Sequence, residues 1–204
     1  MHHGFRTLGA VAMTAIVLAA IASSAMANRA IELVAGEGEL ERVTARGTLT
    51  VTEPNEGFRV ICTFTRTMRL NPRINKAAGN EIGQVTAVEV RGCRGGVLRV
   101  LPESLPWTMS YLAFLGTLPN IEGIAIETRG TTFLLEAFFG VQRCLYGGNL
   151  QSAMTGNPIA NNVLVEAIDL PLVRDLRMPP GACPSEIFFR GTLTVGGRVR
   201  MRLS

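Results

Sequence analysis

Hydrophobic and polar residues alternate along the first regular stretch of the chain, residues 43–52. Val43 and Leu49 fall on one side of this alternation, and threonines and arginines occupy the other side. A period of two residues is typical of a β-strand that buries one face and exposes the other. A turn-forming run follows at 53–57, and the alternation resumes over 58–70. The pattern predicts a β-hairpin.

Two residues of the second hairpin strand stand out from its aliphatic and aromatic neighbours. Cys62 lies on the apolar side of the alternation, so the hairpin points this side chain toward the core. Arg66 interrupts the same side with a charge. The hairpin is nevertheless well supported, because most other positions in the strand keep the period of two.

Further segments with strand-like patterns recur along the chain, and clusters of Gly, Pro or Asn separate many of them. They lie at residues 84–90, 97–101, 107–115, 121–128, 132–139, 141–154, 163–170 and 186–195. No long segment keeps a helical period, so the crossover helices that a parallel sheet requires are missing. The predicted fold class is all-β, either an antiparallel β-sandwich or an irregular barrel.

Residues 1–27 have the pattern of a cleavable signal peptide. Arg6 precedes an uncharged run over residues 8–22, and an A-x-A-like cleavage site ends at Ala27. An uncleaved membrane anchor is the alternative, because no charge follows until Arg29 and the uncharged stretch approaches the roughly 20 residues that span a bilayer. The strongly apolar part is short and rich in Ala and Gly, which favours cleavage.

Residues 28–204 are predicted to form a single disulfide-bonded β domain that is secreted or associated with the cell envelope. An even number of cysteines in an exported chain predicts disulfides, and here they are Cys62, Cys93, Cys144 and Cys183. We expect the sequential pairing, Cys62 with Cys93 and Cys144 with Cys183. The cysteine spacings do not resemble C-x-x-C, so neither a metal site nor any other cofactor is expected.

Histidine occurs only as His2 and His3, inside the predicted signal peptide. A mature chain without imidazole has no Ser-His-Asp or Cys-His catalytic arrangement and no histidine metal ligand. Carboxylate chemistry stays open, because a glycosidase needs only two acids across a cleft. The candidate acids all lie in strand-like segments, and they are Glu89, Glu127, Glu136, Glu166 and Asp169.

The chain is weakly basic, with a formal net charge of +4 at pH 7. Nucleic-acid binding proteins usually carry a clustered basic face, so no nucleic-acid partner is expected. The C-terminal tail places Arg198, Arg200 and Arg202 on one strand face, a candidate contact for an anionic partner. Alternatively, these charges keep a terminal sheet edge soluble. Membrane association is expected only through an uncleaved signal segment.

The hexapeptide R-G-T-L-T-V occurs twice, at residues 46–51 and 190–195, near the two ends of the predicted domain. A match this short arises by chance or from a favourable half-buried strand that is written twice. Alternatively, the two segments occupy equivalent or adjacent places in the fold and join the termini of one domain. The sequence supports both interpretations.

The order of the cysteines and of two short motifs resembles that of a group of secreted four-cysteine, β-rich proteins of actinobacterial type. The first two cysteines precede Leu105-Pro106-Trp107, and the last two precede the closing strand F-F-R-G-T-L-T-V at 188–195. The chain has fewer Ser and Thr residues than is usual in that group. The resemblance implies a β-rich fold and an extracellular or envelope location, but no reaction and no functional residues.

These features favour a non-catalytic secreted or cell-envelope protein with a binding or structural role, and a cell-surface glycan or protein is a candidate partner. A carbohydrate-active hydrolase is the first alternative, and it requires two of the acids to share one pocket about 5 to 10 Å apart. A carrier of a small apolar ligand is the second, and it requires an internal cavity instead of a packed interior.

We predict that the secreted form begins at Asn28, because small residues flank the bond after Ala27 as signal peptidase requires. Intact-mass analysis of the culture fluid checks this prediction, with the unprocessed protein purified from the cytoplasm as the mass control. A secreted protein that still carried residues 1–27 would contradict it.

Overall fold

The computed structural model describes residues 31–34, 39–54, 57–74, 77–117, 120–137, 142–155, 163–176, 183–196 and 199–203. The predicted signal peptide, residues 1–27, lies outside them. The regular structure of the described residues consists of β-strands and two short 3-10 helices, Glu39–Arg42 and Pro102–Ser104. The prediction of an all-β fold is confirmed.

The strands carry most of the chain, and each is paired antiparallel with its neighbours. They are β1 (Ile31–Val34), β2 (Val43–Thr52), β3 (Arg59–Leu70), β4 (Arg73–Ile74), β5 (Glu81–Arg94), β6 (Gly96–Val100), β7 (Trp107–Thr117), β8 (Asn120–Ala137), β9 (Gln142–Thr155), β10 (Val163–Asp175), β11 (Glu186–Val195) and β12 (Arg200–Leu203).

One sheet closes on itself to form the body of the domain. Its nine strands follow the order β6-β8-β7-β5-β3-β2-β11-β10-β9, and an additional pairing of β8 with β9 joins the ends. The long strand β8 holds β9 along one edge, while β7 and β6 share the other edge. All of these strands except β6 therefore form a ring. Of the two predicted architectures, the structure has the irregular barrel, and its β5–β7 junction is limited to Glu81–Val85 of β5.

A second, three-stranded sheet has the order β12-β1-β4 and brings the two ends of the described chain together. β1 pairs with β12 along its whole length, from Ile31 opposite Leu203 to Val34 opposite Arg200. Ile31 and Leu33 are buried and belong to the same hydrophobic core as the residues inside the barrel. The small sheet is thus packed onto the barrel through its apolar side.

Aromatic side chains fill the middle of the barrel. Phe133 on β8 lies between Trp107 on β7 and Phe189 on β11, with ring centroids 5.4 Å and 4.6 Å away. β8 and β11 are not neighbours in the ring, so the contact between Phe133 and Phe189 crosses the interior. The indole Nε1 of Trp107 donates a hydrogen bond to Ser104 Oγ at 3.1 Å, which satisfies its one polar group. The barrel interior is therefore filled by side chains at the level of these three aromatic rings.

Arg66 enters this core from β3. Its neighbours on the same side of the strand, Phe64 and Met68, are buried, and Arg66 itself is only 1% exposed. Guanidinium atoms Nε and Nη2 are buried together with the rest of the side chain, so Arg66 occupies an inward position of the strand and the alternation of buried positions continues through it. The charge that interrupts the apolar pattern in the sequence thus belongs to the interior.

The two copies of the repeated hexapeptide pair with each other and close the ring. Thr48 of β2 lies opposite Thr192 of β11, and the register continues symmetrically on both sides of this central pair. Gly47 lies opposite Leu193, and Leu49 lies opposite Gly191. The copies therefore occupy adjacent places and join the termini of the domain, which is the second of the two interpretations of the repeat.

The two glycines of this seam allow the strands to lie close together. A Cβ atom built on Gly47 would lie 1.9 Å from the carbonyl oxygen of Thr192. A Cβ atom on Gly191 would lie 2.7 Å from the carbonyl oxygen of Thr48 and 2.9 Å from Cδ1 of Leu49. Neither position has room for a side chain unless the backbone moves. The two copies of the repeat therefore have glycine at equivalent places for the same reason, which is the close approach of the paired strand.

We predict that Gly47→Val lowers the free energy of unfolding by about 3 kcal/mol, because the new side chain must push β11 away from β2. Thermal or urea unfolding of the oxidised domain measures the change. Gly196→Ala is the matched control, since a Cβ atom there lies 3.4 Å from the nearest atom, the carbonyl oxygen of Thr44. Equal stabilities of the two variants would contradict this account of the seam.

Candidate functional site

A polar concavity of about 310 Å³ lies on the outer surface of β2, β3 and β5. Its volume is at the low end of the range for small-molecule sites, which is roughly 300 to 1,000 Å³. Polar side chains and one glycine line it, and they are Thr44, Arg46, Thr63, Thr65, Glu89, Arg91 and Gly92. Among the features that the described residues form, this concavity is the strongest candidate for a binding site.

The strand alternation places these side chains together. In β2 and β3 the buried positions point into the barrel, and the threonines and arginine between them point outward. The register sets Arg46 opposite Thr65, and Thr65 opposite Glu89. Arg91 lies opposite Thr63 in the next outward row. Side chains directly opposite each other have Cβ atoms about 5 Å apart, so the rows form one continuous polar surface.

A β-bulge in β5 shapes one side of the concavity. Thr63 lies opposite Arg91 and Ile61 lies opposite Arg94, so β5 contains one residue more than β3 between these two pairs. Gly92 lies within the bulge and has a φ of +59°, a left-handed conformation that favours glycine. Bulges bend the strand that contains them, and here the bend lies at the edge of the site.

A disulfide holds the bulged segment from the interior of the barrel. Cys62 of β3 is 1% exposed, and it is bonded to Cys93 with a Cα–Cα distance of 4.1 Å. Cys93 directly follows Gly92, so the bulge turns one residue inward to the disulfide while Arg91 stays on the outer surface. The core cross-link and the outer concavity are therefore built from the same short segment.

The charged side chains of the concavity differ in their ion pairing. Arg91 and Glu89 form an ion pair, in which the side chains are 76% and 51% exposed. Arg46 is exposed at the centre of its row, and no ion pair joins it to any residue that the structure describes. Exposed ion pairs contribute only about 0 to 1 kcal/mol, so the Glu89–Arg91 pair can open at little cost. The concavity thus offers cationic donors and one carboxylate acceptor.

The candidate acids of the hydrolase alternative are not grouped together, and two of them form ion pairs with arginines. Glu127 accepts a 2.5 Å hydrogen bond from Nε of Arg129. Glu136 lies between Arg143 at 3.0 Å and Arg99 at 3.6 Å.

The remaining acids add no second carboxylate to the concavity. Glu89 belongs to its lining, whereas Asp169 is exposed on β10. The side chain of Glu166 lies outside the described part of the chain. Within the described residues, the concavity therefore has one carboxylate instead of the pair that glycoside hydrolysis requires.

The predicted arginine face of the tail is described in part. Arg200 is exposed in β12, opposite Val34 of β1. Arg202 lies opposite Glu32 in the same pairing, and its side chain is outside the description. Arg198 lies outside the described residues. β12 is an edge strand of the small sheet, and contact of its arginines with an anionic partner stays a prediction.

The second disulfide lies at a different part of the barrel. Cys144 of β9 is bonded to Cys183 with a Cα–Cα distance of 5.7 Å, so the two bonds have the expected sequential pairing. Nearby, the buried hydroxyl of Tyr146 donates a hydrogen bond to the carbonyl oxygen of Pro184 at 3.2 Å. Burial, and then the negative charges of Glu53 and Asp175, raise the pKa of Tyr146. This tyrosine is therefore a neutral structural donor at neutral pH.

Metal binding has no support in the described part of the chain, where no group of three or more Cys, His, Asp or Glu residues could hold an ion. No helix there has the length and apolar character needed to cross a bilayer. No family model, curated protein or solved structure matches this chain. The resemblance to secreted actinobacterial proteins therefore stays a prediction.

Part of the concavity was visible in the sequence. The alternation of residues 43–52 assigns Thr44 and Arg46 to the polar face of a strand. The sequence does not show that β5 contributes Glu89 and Arg91 to the same surface. That arrangement depends on the β3–β5 register and on the bulge. No local sequence signal specifies the register, and none distinguishes the bulge residue Gly92 from a turn glycine.

We predict that Gly92→Val lowers the free energy of unfolding by about 1 to 2 kcal/mol, because a β-branched residue is disfavoured in the left-handed conformation. A Cβ atom at this position meets nothing within 4 Å, so the cost arises from the backbone alone. Gly92→Asn is the control, since Asn tolerates this conformation and should retain most of the stability. Urea unfolding compares the variants, and equal destabilisation by Val and Asn would contradict the conformational explanation.

Proposed function

We propose that this protein is a non-catalytic binding or structural protein of the extracellular space or the cell envelope, and that it contacts its partner through the outer surface of the barrel. The observation that carries the proposal is the contrast between the two sides of the sheet. Aromatic and aliphatic side chains pack the interior, whereas the concavity on β2, β3 and β5 is polar and open to solvent.

The disulfides support the proposed location. One bond joins β3 to β5 and the other joins β9 to the segment before β11, and the described residues contain no free cysteine. Disulfides persist in oxidising compartments and are rare where cellular thiols keep cysteine reduced. An extracellular setting agrees with this chemistry and with the signal peptide that the sequence predicts.

The packed core weighs against the carrier alternative. A carrier of a small apolar ligand needs an unfilled space inside the barrel. Here Phe133 contacts Trp107 on the neighbouring strand and Phe189 across the interior, and all three side chains are at most 1% exposed. A ligand at this level would have to displace these rings.

The hydrolase alternative has weaker support than binding. Its requirement is two carboxylates that face each other across a cleft. Glu127 and Glu136 form ion pairs with arginines, and Glu89 is the one carboxylate among the described residues of the concavity. Binding at the outer surface needs no such pair.

We predict that the immobilised, oxidised mature domain retains material from an envelope or culture-fluid preparation of the producing organism without changing it chemically. Separate glycan and protein fractions identify the class of partner, and the reduced and alkylated domain is the unfolded control. The retained material should keep its mass, because binding breaks no bond. Failure of every fraction to bind, or a steady release of reducing sugar from the glycan fraction, would overturn the proposal.

A further inference from the structure

Arg46 lies at the centre of a row of hydrogen-bonding side chains on the outer surface. Thr194 of β11 lies on one side of it and Thr65 of β3 lies on the other. All three occupy outward positions, and Arg46 has no ion-pair partner within the described residues. A guanidinium presents a planar fork of donors that matches a carboxylate or a phosphate, and hydroxyls on both sides add shorter-range donors and acceptors.

β5, the strand next to β3, adds one acidic and one further basic side chain to this surface. Glu89 lies beyond Thr65 in the same row, and Arg91 lies opposite Thr63 in the next row. A carboxylate such as that of Glu89 is a hydrogen-bond acceptor, so it suits a ligand that has hydroxyl groups. Because the Glu89–Arg91 pair is exposed, a ligand can take over either partner with a small loss of ion-pair energy.

The lining favours one class of ligand over its competitors. It contains no aromatic side chain, so the stacking that supports the binding of neutral sugars and of nucleic-acid bases is missing. Two arginines against one glutamate give a weak positive charge, whereas nucleic-acid sites carry clustered cations. Hydroxyls, a carboxylate and arginines together fit a ligand that combines hydroxyl groups with an anionic group.

We infer that the concavity on β2, β3 and β5 binds an acidic saccharide, with Arg46 holding its carboxylate or phosphate group. The threonines and Glu89 then contact the sugar hydroxyls, and Arg91 either keeps its pair with Glu89 or turns to the anion. This inference rests on the proposed binding function and assigns it a ligand class and a site.

Isothermal titration of the oxidised mature domain tests the inference with three saccharide probes of similar length. Oligogalacturonate supplies carboxylates, a mannose phosphate oligomer supplies phosphates, and a galactose oligomer supplies hydroxyls alone. We expect one of the acidic probes to bind measurably tighter than the neutral probe. Comparison of the two acidic probes identifies which anion the site prefers.

Arg46→Ala should weaken binding of the preferred acidic probe by about tenfold or more, which is the usual effect of removing a charged hydrogen-bonding group. Arg46→Lys should restore part of the loss, because it keeps the charge without the fork. Arg190→Ala is the matched control. Arg190 is exposed on the same outer surface, opposite Thr50, and it is not part of the concavity. Its removal should change affinity less than twofold.

Three results would overturn the inference. They are equal losses in Arg46→Ala and Arg190→Ala, equal binding of the acidic and neutral probes, and tighter binding of a single-stranded DNA oligomer than of either acidic probe. If no acidic probe binds while the domain still retains envelope material, the saccharide site is wrong and the proposed binding function stands. If no acidic probe binds and the domain also retains no envelope material, both the saccharide site and the proposed binding function are wrong. Thermal unfolding confirms that each variant is folded.

Discussion

The pairing of β2 with β11 is the contact on which the rest of the barrel depends. An open sheet of this length would leave two edges of unpaired backbone groups and one exposed apolar face. Closure of the ring satisfies both edges and encloses the contact between Phe133 of β8 and Phe189 of β11, two strands that are not neighbours in the ring. The close approach at Gly47 and Gly191 leaves no room for a Cβ atom at either position, so a side chain at either residue would force the two strands apart.

A closed and packed barrel shifts the search for function to its outer surface. The same alternation that fills the interior supplies the threonines and arginines outside. Most of that surface follows the sheet, whereas the bulge at Gly92 bends β5 beside the concavity. The Cys62–Cys93 disulfide holds the bend from within, and the geometry of the site is thereby coupled to the stability of the core.

The sequence predicted the features that depend on local pattern. The hairpin of β2 and β3, the inward direction of Cys62 and the all-β class all follow from a period of two residues. The repeat supported two interpretations, because a hexapeptide carries no information about what lies next to it. Likewise, Glu136 was a candidate acid until the structure placed it between Arg99 of β6 and Arg143 of β9. Charge partners on other strands are invisible in a linear pattern.

The sequence by itself determined which side of β2 and of β3 faces inward, because the alternation of apolar and polar side chains is a local property of the chain. The tertiary structure decided which strands are neighbours and in what register, and therefore that Arg46, Thr65 and Glu89 form one row. Backbone hydrogen bonds are alike at every residue, so the choice of partner is made by the packing of side chains that are distant in the sequence.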